Sequence, residues 1–126
     1  MQRPGLQMIL TRENAAYKPG EVIAGVVRWV NAPIGGELRM ELKWSTRGKG
    51  SVDRGTDQTM SWPIGQSEGE AAFQFNAPMQ PLSFEGRIVG IYWVVAARMR
   101  SNKTQVEREI VISPTLTALR VWQSIT

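Results

Sequence analysis

The chain has 126 residues, 42% of them hydrophobic and 21% charged, with 15 Lys and Arg against 11 Asp and Glu and a net charge of +4. That length sets one domain with one core, and that balance excludes a disordered chain. With no cysteine and no histidine, disulfides, thiolate chemistry, Cys-based metal sites and the commonest general base are excluded.

Period-two patterning dominates and predicts strands at 6–13, 21–30, 37–46, 57–62, 70–76, 87–100 and 104–113. In the second strand Ile23, Gly25, Val27 and Trp29 share the inward face, and Val22, Ala24 and Val26 point outward. Gly25 within that strand predicts close approach of a neighbour or a bulge. In the third, Leu38, Met40, Leu42 and Trp44 oppose Glu37, Arg39, Glu41 and Lys43, one dry face and one wet. Thr46 to Thr56, with three glycines and mixed charge, reads as a mobile hairpin loop. Met60 and Trp62, then Ala71, Phe73 and Phe75, continue the core. In the last strand Arg108 interrupts the set Val106, Ile110, Ile112 and predicts a position near a strand edge.

All seven prolines fall between the apolar stretches, where a missing N–H costs nothing. Seven short strands with turn signals between them predict an all-β, immunoglobulin-like antiparallel sandwich over residues 1–113. Residues 114–126 form a tail. There Leu116, Leu119, Trp122 and Ile125 recur at a spacing near three, compatible with a short helix, an extra strand or a frayed end.

The start of the chain lacks the apolar run of a signal peptide, and the longest apolar stretch, 88–97, is about half a membrane span. A cytoplasmic location with no transmembrane segment is the expectation. No phosphate-binding loop, dinucleotide fingerprint or nucleophile elbow appears. Asp53 and Asp57 share a loop, but offsetting Arg47, Lys49 and Arg54 explains them better than a weak calcium site. No catalytic residue, metal ligand or cofactor is assigned.

Three segments carry a family resemblance. Tyr17-Lys-Pro-Gly-Glu-Val-Ile-Ala-Gly resembles the entry to the second strand of arrestin-fold domains. Pro78-Met-Gln-Pro-Leu-Ser-Phe-Glu-Gly resembles that family's proline-rich loop, and Ile91-Tyr-Trp-Val-Val-Ala its following strand. Order and spacing match over about residues 6–113. The resemblance implies a single arrestin N-terminal-like domain of bacterial or archaeal type, without enzymatic activity, acting as a protein-interaction scaffold. Arrestins carry two such domains; this chain has room for one and no evident polar core, so phosphoreceptor recognition is not carried over. Independently, Pro19 fixes φ and Gly20 accepts positive φ, so Lys18–Glu21 is a tight turn.

Pattern and resemblance disagree over residues 88–99. Alternation alone sends Val89, Ile91, Trp93, Val95, Ala97 and Met99 inward, whereas the resemblance sends Tyr92, Val94 and Ala96 inward. Following the resemblance predicts an outward apolar stripe of Trp93 and Val95. With Val22, Ala24 and Val26, it would need a cover: Trp122 and the rest of 115–125, or a second copy.

Two basic loops are candidate partner sites: Arg47, Lys49 and Arg54 in the hairpin, and Arg98, Arg100 and Lys103 at the turn between the last two strands. The expected partner is another protein or a second copy of the chain. Two other readings are a polyanion or nucleic-acid binder using these loops, and a carbohydrate-binding sandwich with Trp-lined strands. Most aromatic residues occupy core-alternating positions, which disfavours nucleic acid.

Overall fold

In the computed structural model, residues 3–48, 52–86, 89–100 and 103–120 are described. Ten strands follow in order: β1 (Gly5–Leu10), β2 (Ala16–Tyr17), β3 (Val22–Val30), β4 (Glu37–Gly48) and β5 (Arg54–Pro63), then β6 (Gly69–Asn76), β7 (Phe84–Glu85), β8 (Val89–Met99), β9 (Gln105–Ile112) and β10 (Leu119–Arg120). They form two layers. One is a three-stranded antiparallel sheet ordered β1-β3-β6. In the other, β5-β4-β8 run antiparallel. Beyond β8 lie β7 at Ile91 and β9 from Trp93 to Arg98. Two short parallel pairings, β2 with β9 and β10 with β7, complete this layer. The chain is an all-β sandwich.

The seven longer strands coincide with those predicted, within a few residues. The short ones, β2, β7 and β10, carry too few residues for a period to show. The hairpin strands run further than expected. β4 continues to Gly48 and β5 begins at Arg54, and Thr46 and Asp53 exchange hydrogen bonds across them, so only the tip at 49–51 lies outside the described residues. Residues 114–118 form turns and bends, and β10 then pairs with β7.

The core is the set of inward faces. Ile23, Val27, Leu38, Met40, Leu42, Val95 and Ile112 are all 0% exposed, and Phe73 and Phe75 close the layer from β6. Fully burying one such side chain contributes about 1.5–3 kcal/mol. Gly25 is a site of close approach. A Cβ there would sit 2.4 Å from the Ile9 carbonyl oxygen and 2.7 Å from the Phe73 ring.

The expected register of β8 is overturned. Trp93, Val95 and Ala97 are 0% exposed and face the core with Met99, so Trp93 and Val95 are not an outward stripe. Alternation prevails because Trp93 meets a partner inside: its indole N–H donates to the Pro81 carbonyl at 2.8 Å. That bond pins the proline-rich loop to β8. Ser83, buried in the same loop, pairs with Ile112 like a strand residue, its N–H donating to the Ile112 carbonyl at 2.8 Å and its hydroxyl accepting from the Ile112 N–H at 2.9 Å.

The turn at Lys18–Glu21 forms as predicted, with Gly20 at φ +87° and the Glu21 N–H donating to the Lys18 carbonyl. Glu21 holds it: its carboxylate accepts from the Lys18 N–H at 2.6 Å and from the Arg12 guanidinium at 3.0 Å. Arg12 in turn lies 4.8 Å over the Tyr17 ring.

Candidate interaction surfaces

Three surfaces follow from this architecture. The first is the outer face of the larger sheet, where β8 presents Tyr92, Val94 and Ala96. These small and apolar side chains sit between two charged strands. Lys43 on β4 reaches across β8 to Glu107 on β9 at 3.1 Å, and Arg47 crosses to Glu109 at 2.9 Å with its guanidinium 4.1 Å over the Tyr92 ring. Their aliphatic stems cover the apolar row while their charges stay wet. The stripe that needs a cover is therefore Tyr92–Ala96, and the sheet covers it with its own side chains.

The candidate basic residues lie on this same face, at opposite ends. Arg47 and Arg54 line a groove of about 810 Å³ at the hairpin end, with Lys43, Thr56, Tyr92 and Glu107. Arg98, Arg100 and Lys103 line a concavity of about 490 Å³ at the other end. Arg47 pairs with Gly90 and Arg98 with Arg39, about 26 Å of strand apart, while Gln105 lines both hollows. Lys49 lies outside the described residues. Most of these cations are engaged: besides Arg47, Arg98 pairs with Glu41 at 3.5 Å and Arg100 with Glu37 at 3.8 Å. The face is a lattice of alternating charge and does not form one cationic field. Asp57 occupies the bulge of β5 opposite Leu42 and Lys43 and accepts from Gln58 at 2.7 Å, apart from Asp53 at the hairpin. Among the described residues no three acidic side chains are grouped to hold a metal ion.

The second surface is the outer face of β1-β3-β6. Val22, at 47% exposed, and half-buried Ala24 and Val26 point outward as the sequence predicted, beside exposed Ile9 and Val30 and an Arg28–Glu70 ion pair at 2.9 Å. Trp122, offered as part of a cover, lies outside the described residues.

The third is the sheet edges, which differ in protection. An edge strand offers unpaired N–H and C=O groups, and charges, proline and bulges discourage a visiting strand. β5 carries Arg54, the bulge at Asp57 and Pro63. β6 carries Glu70, and its end is already occupied: the Gln58 side chain donates to the Asn76 carbonyl at 2.7 Å and accepts from the Asn76 N–H at 3.1 Å. The stretch of β9 beyond β2 carries Glu107, Arg108 and Glu109, with Arg108 donating to the Glu13 carbonyl. β1 alone among the longer described edges, Gly5-Leu-Gln-Met-Ile-Leu10, has no charge, no proline and no bulge.

The direction of the free groups on β1 is fixed. The Thr11 N–H donates to the Ala24 carbonyl at 3.0 Å, just beyond the last pair of the β1–β3 register. Antiparallel pairs alternate, so Gln7 and Ile9 bond to β3, and the N–H and C=O of Leu6, Met8 and Leu10 point away from it. The sequence reading located this strand but not its place at an edge. No signal in its residues marks the edge, because an uncharged run is the pattern expected of a strand paired on both sides.

No protein-family model matches the chain, and no curated protein matches it by sequence. Solved structures do resemble it. The sporulation control protein Spo0M of Bacillus subtilis superposes with a TM-score of 0.66 at 17% identity, over 90% of this chain and 50% of that one. The alkylpurine DNA glycosylase AlkC of Pseudomonas fluorescens, bound to DNA, gives a TM-score of 0.42 at 12% identity, over 87% of this chain and 30% of that one. The likeness to Spo0M is one of fold, and this chain spans half of that protein's length. The arrestin resemblance rests on the three sequence motifs alone.

Proposed function

We propose that the chain is a non-catalytic protein-interaction domain that takes up its partner by strand addition along β1. The observation that carries this reading is the uncharged edge of half-buried Leu6 and Met8, ahead of buried Leu10 where β1 lies against β9, while the other long described edges are charged, bulged or occupied. Strand addition draws affinity from main-chain hydrogen bonds and specificity from alternate side chains. The fold neighbour Spo0M is a sporulation control protein, and a regulatory role suits a domain of this kind.

Met8 gives a direct test. Its N–H points away from β3, so proline there blocks the edge without removing a bond of the sheet. Alanine at the same position shares the loss of methionine packing and leaves the edge open. Proteins captured from native lysate by the wild type should also be captured by Met8→Ala and by Arg54→Ala, and be lost with Met8→Pro. Equal capture by Met8→Pro and Met8→Ala would refute strand addition at β1.

A further inference from the structure

We infer that the hollow at the turn between β8 and β9 binds a phosphate group, held by Arg98, Arg100 and Lys103 with Arg39 beside them. The site is separate from the β1 edge and does not depend on it. Arg39 on β4 lies directly opposite Arg98 on β8, both on the outer face of the larger sheet. Like charges directly opposite one another destabilise a sheet. Their row, Ser61-Arg39-Arg98-Gln105, contains no carboxylate. The carboxylates flank it: Glu41 reaches Arg98 at 3.5 Å and Glu37 reaches Arg100 at 3.8 Å, while Glu107 is taken by Lys43. Arg39 and Lys103 have no ion-pair partner among the described residues. Four cations against two carboxylates leave two positive charges, which match the charge of about −1.5 to −2 on a phosphate group at neutral pH.

The donors are unspent as well as the charge. The side chains of Arg12, Arg28, Arg47 and Arg108 each donate a hydrogen bond. Those of Arg39, Arg98, Arg100 and Lys103 donate none among the described residues, and the Arg39 Nε is buried with no acceptor. Leaving a donor of a charged group unsatisfied is costly, and guanidinium forks match phosphate oxygens two bonds at a time. The hollow of about 490 Å³, lined by Arg98, Met99, Arg100, Lys103 and Gln105, has room for a phosphate group and the small group that carries it. Lys103 holds φ +61°, a conformation that glycine or asparagine adopts at lower cost, so the turn carries a charge where backbone geometry alone favours none. At the hairpin end Arg47 lies over Tyr92 and bonds to Glu109, and the same chemistry is not on offer there.

A phosphate group can arrive on a free small molecule or on a lipid surface, and two probes separate these sources. Inorganic pyrophosphate is titrated into the full chain at an ionic strength held constant with NaCl, and amide NMR shifts are followed. Vesicles of phosphatidylcholine with phosphatidic acid are tested by co-sedimentation. Pyrophosphate should saturate the shifts, with half-saturation below about 1 mM. Arg98→Gln and Arg100→Gln should each weaken it at least about tenfold, and Arg54→Gln at the hairpin end should leave it unchanged. Both substituted side chains at the turn are exposed, so circular-dichroism melts of these variants should stay near that of the wild type. Vesicle binding that needs Arg98 and Arg100, without saturation by pyrophosphate, supports the site and assigns its phosphate to a lipid. Failure of both probes to bind overturns it. So does binding undiminished in Arg98→Gln and Arg100→Gln, or weakened equally by Arg54→Gln.

Discussion

The Lys43 ammonium lies 3.1 Å from the Glu107 carboxylate although the two residues belong to β4 and β9, with β8 between them. The span is about two strand spacings, near 10 Å, so the lysine stem must lie flat over Val94 and Ala96. Both charges are over a third exposed, and such pairs contribute about 0–1 kcal/mol. The stem matters more than the charge. Lys43→Met should unfold in urea close to wild type, and Lys43→Ala should lose about 1 kcal/mol more. Equal losses would show that the stem covers nothing.

Gly25 is closed to any side chain. A methyl there would press on the Ile9 carbonyl and the Phe73 ring, and the first of these is backbone in the same sheet. Gly25→Ala should cost about 3 kcal/mol, at the upper end of overpacking effects, seen as a fall in the denaturation midpoint. A near-neutral result would mean that β1 and β3 are further apart than described.

Tyr17 is 1% exposed, and its hydroxyl has no hydrogen-bond partner among the described residues. Burial pushes its pKa up, opposed by the charges of Arg12 and Arg108. Removing an unpaired buried hydroxyl while keeping the ring should be neutral or stabilising. The melting temperature of Tyr17→Phe should equal or exceed that of the wild type. A loss of about 1 kcal/mol or more would reveal a partner for the hydroxyl.

Glu21 links stability to pH. Hydrogen bonds from Arg12, then from the Lys18 N–H, hold its carboxyl below the usual glutamate value. A group with a lowered folded pKa stabilises the fold above its unfolded value, about 4.3, and that contribution is lost as pH falls through the folded pKa. Glu21→Gln should be less stable than wild type at neutral pH, with the gap closing in acid. A gap unchanged from about pH 7 to about pH 2 would contradict the assignment.

The strand pattern was most legible where one face is charged or polar, as in β4 and β9. Glu37, Arg39, Glu41 and Lys43 leave no doubt about where Leu38, Met40 and Leu42 go. β8 was not legible in this way, since both its faces are apolar. Residues from outside the strand decide it: the Pro81 carbonyl inside for Trp93, and the stems of Lys43 and Arg47 outside for Tyr92 and Val94. The motif comparison placed this strand in the core correctly and its faces in reverse. The hairpin glycines suggested a long loop, but Gly55 sits in β5 because the Trp44 indole lies where its side chain would be, 2.6 Å from a Cβ built there. The ion pairs that neutralise Arg47, Arg98 and Arg100 join strands distant in sequence, such as Arg47 and Glu109, and so could not be read along the chain.

Amide hydrogen exchange along β1, followed by NMR in dilute solution, tests the open edge most directly. The N–H groups of Gln7 and Ile9, bonded to β3, should be protected, and those of half-buried Leu6 and Met8 should exchange at least about 100-fold faster. Equal protection of all four would mean that β1 is already paired on both sides and has no edge to offer.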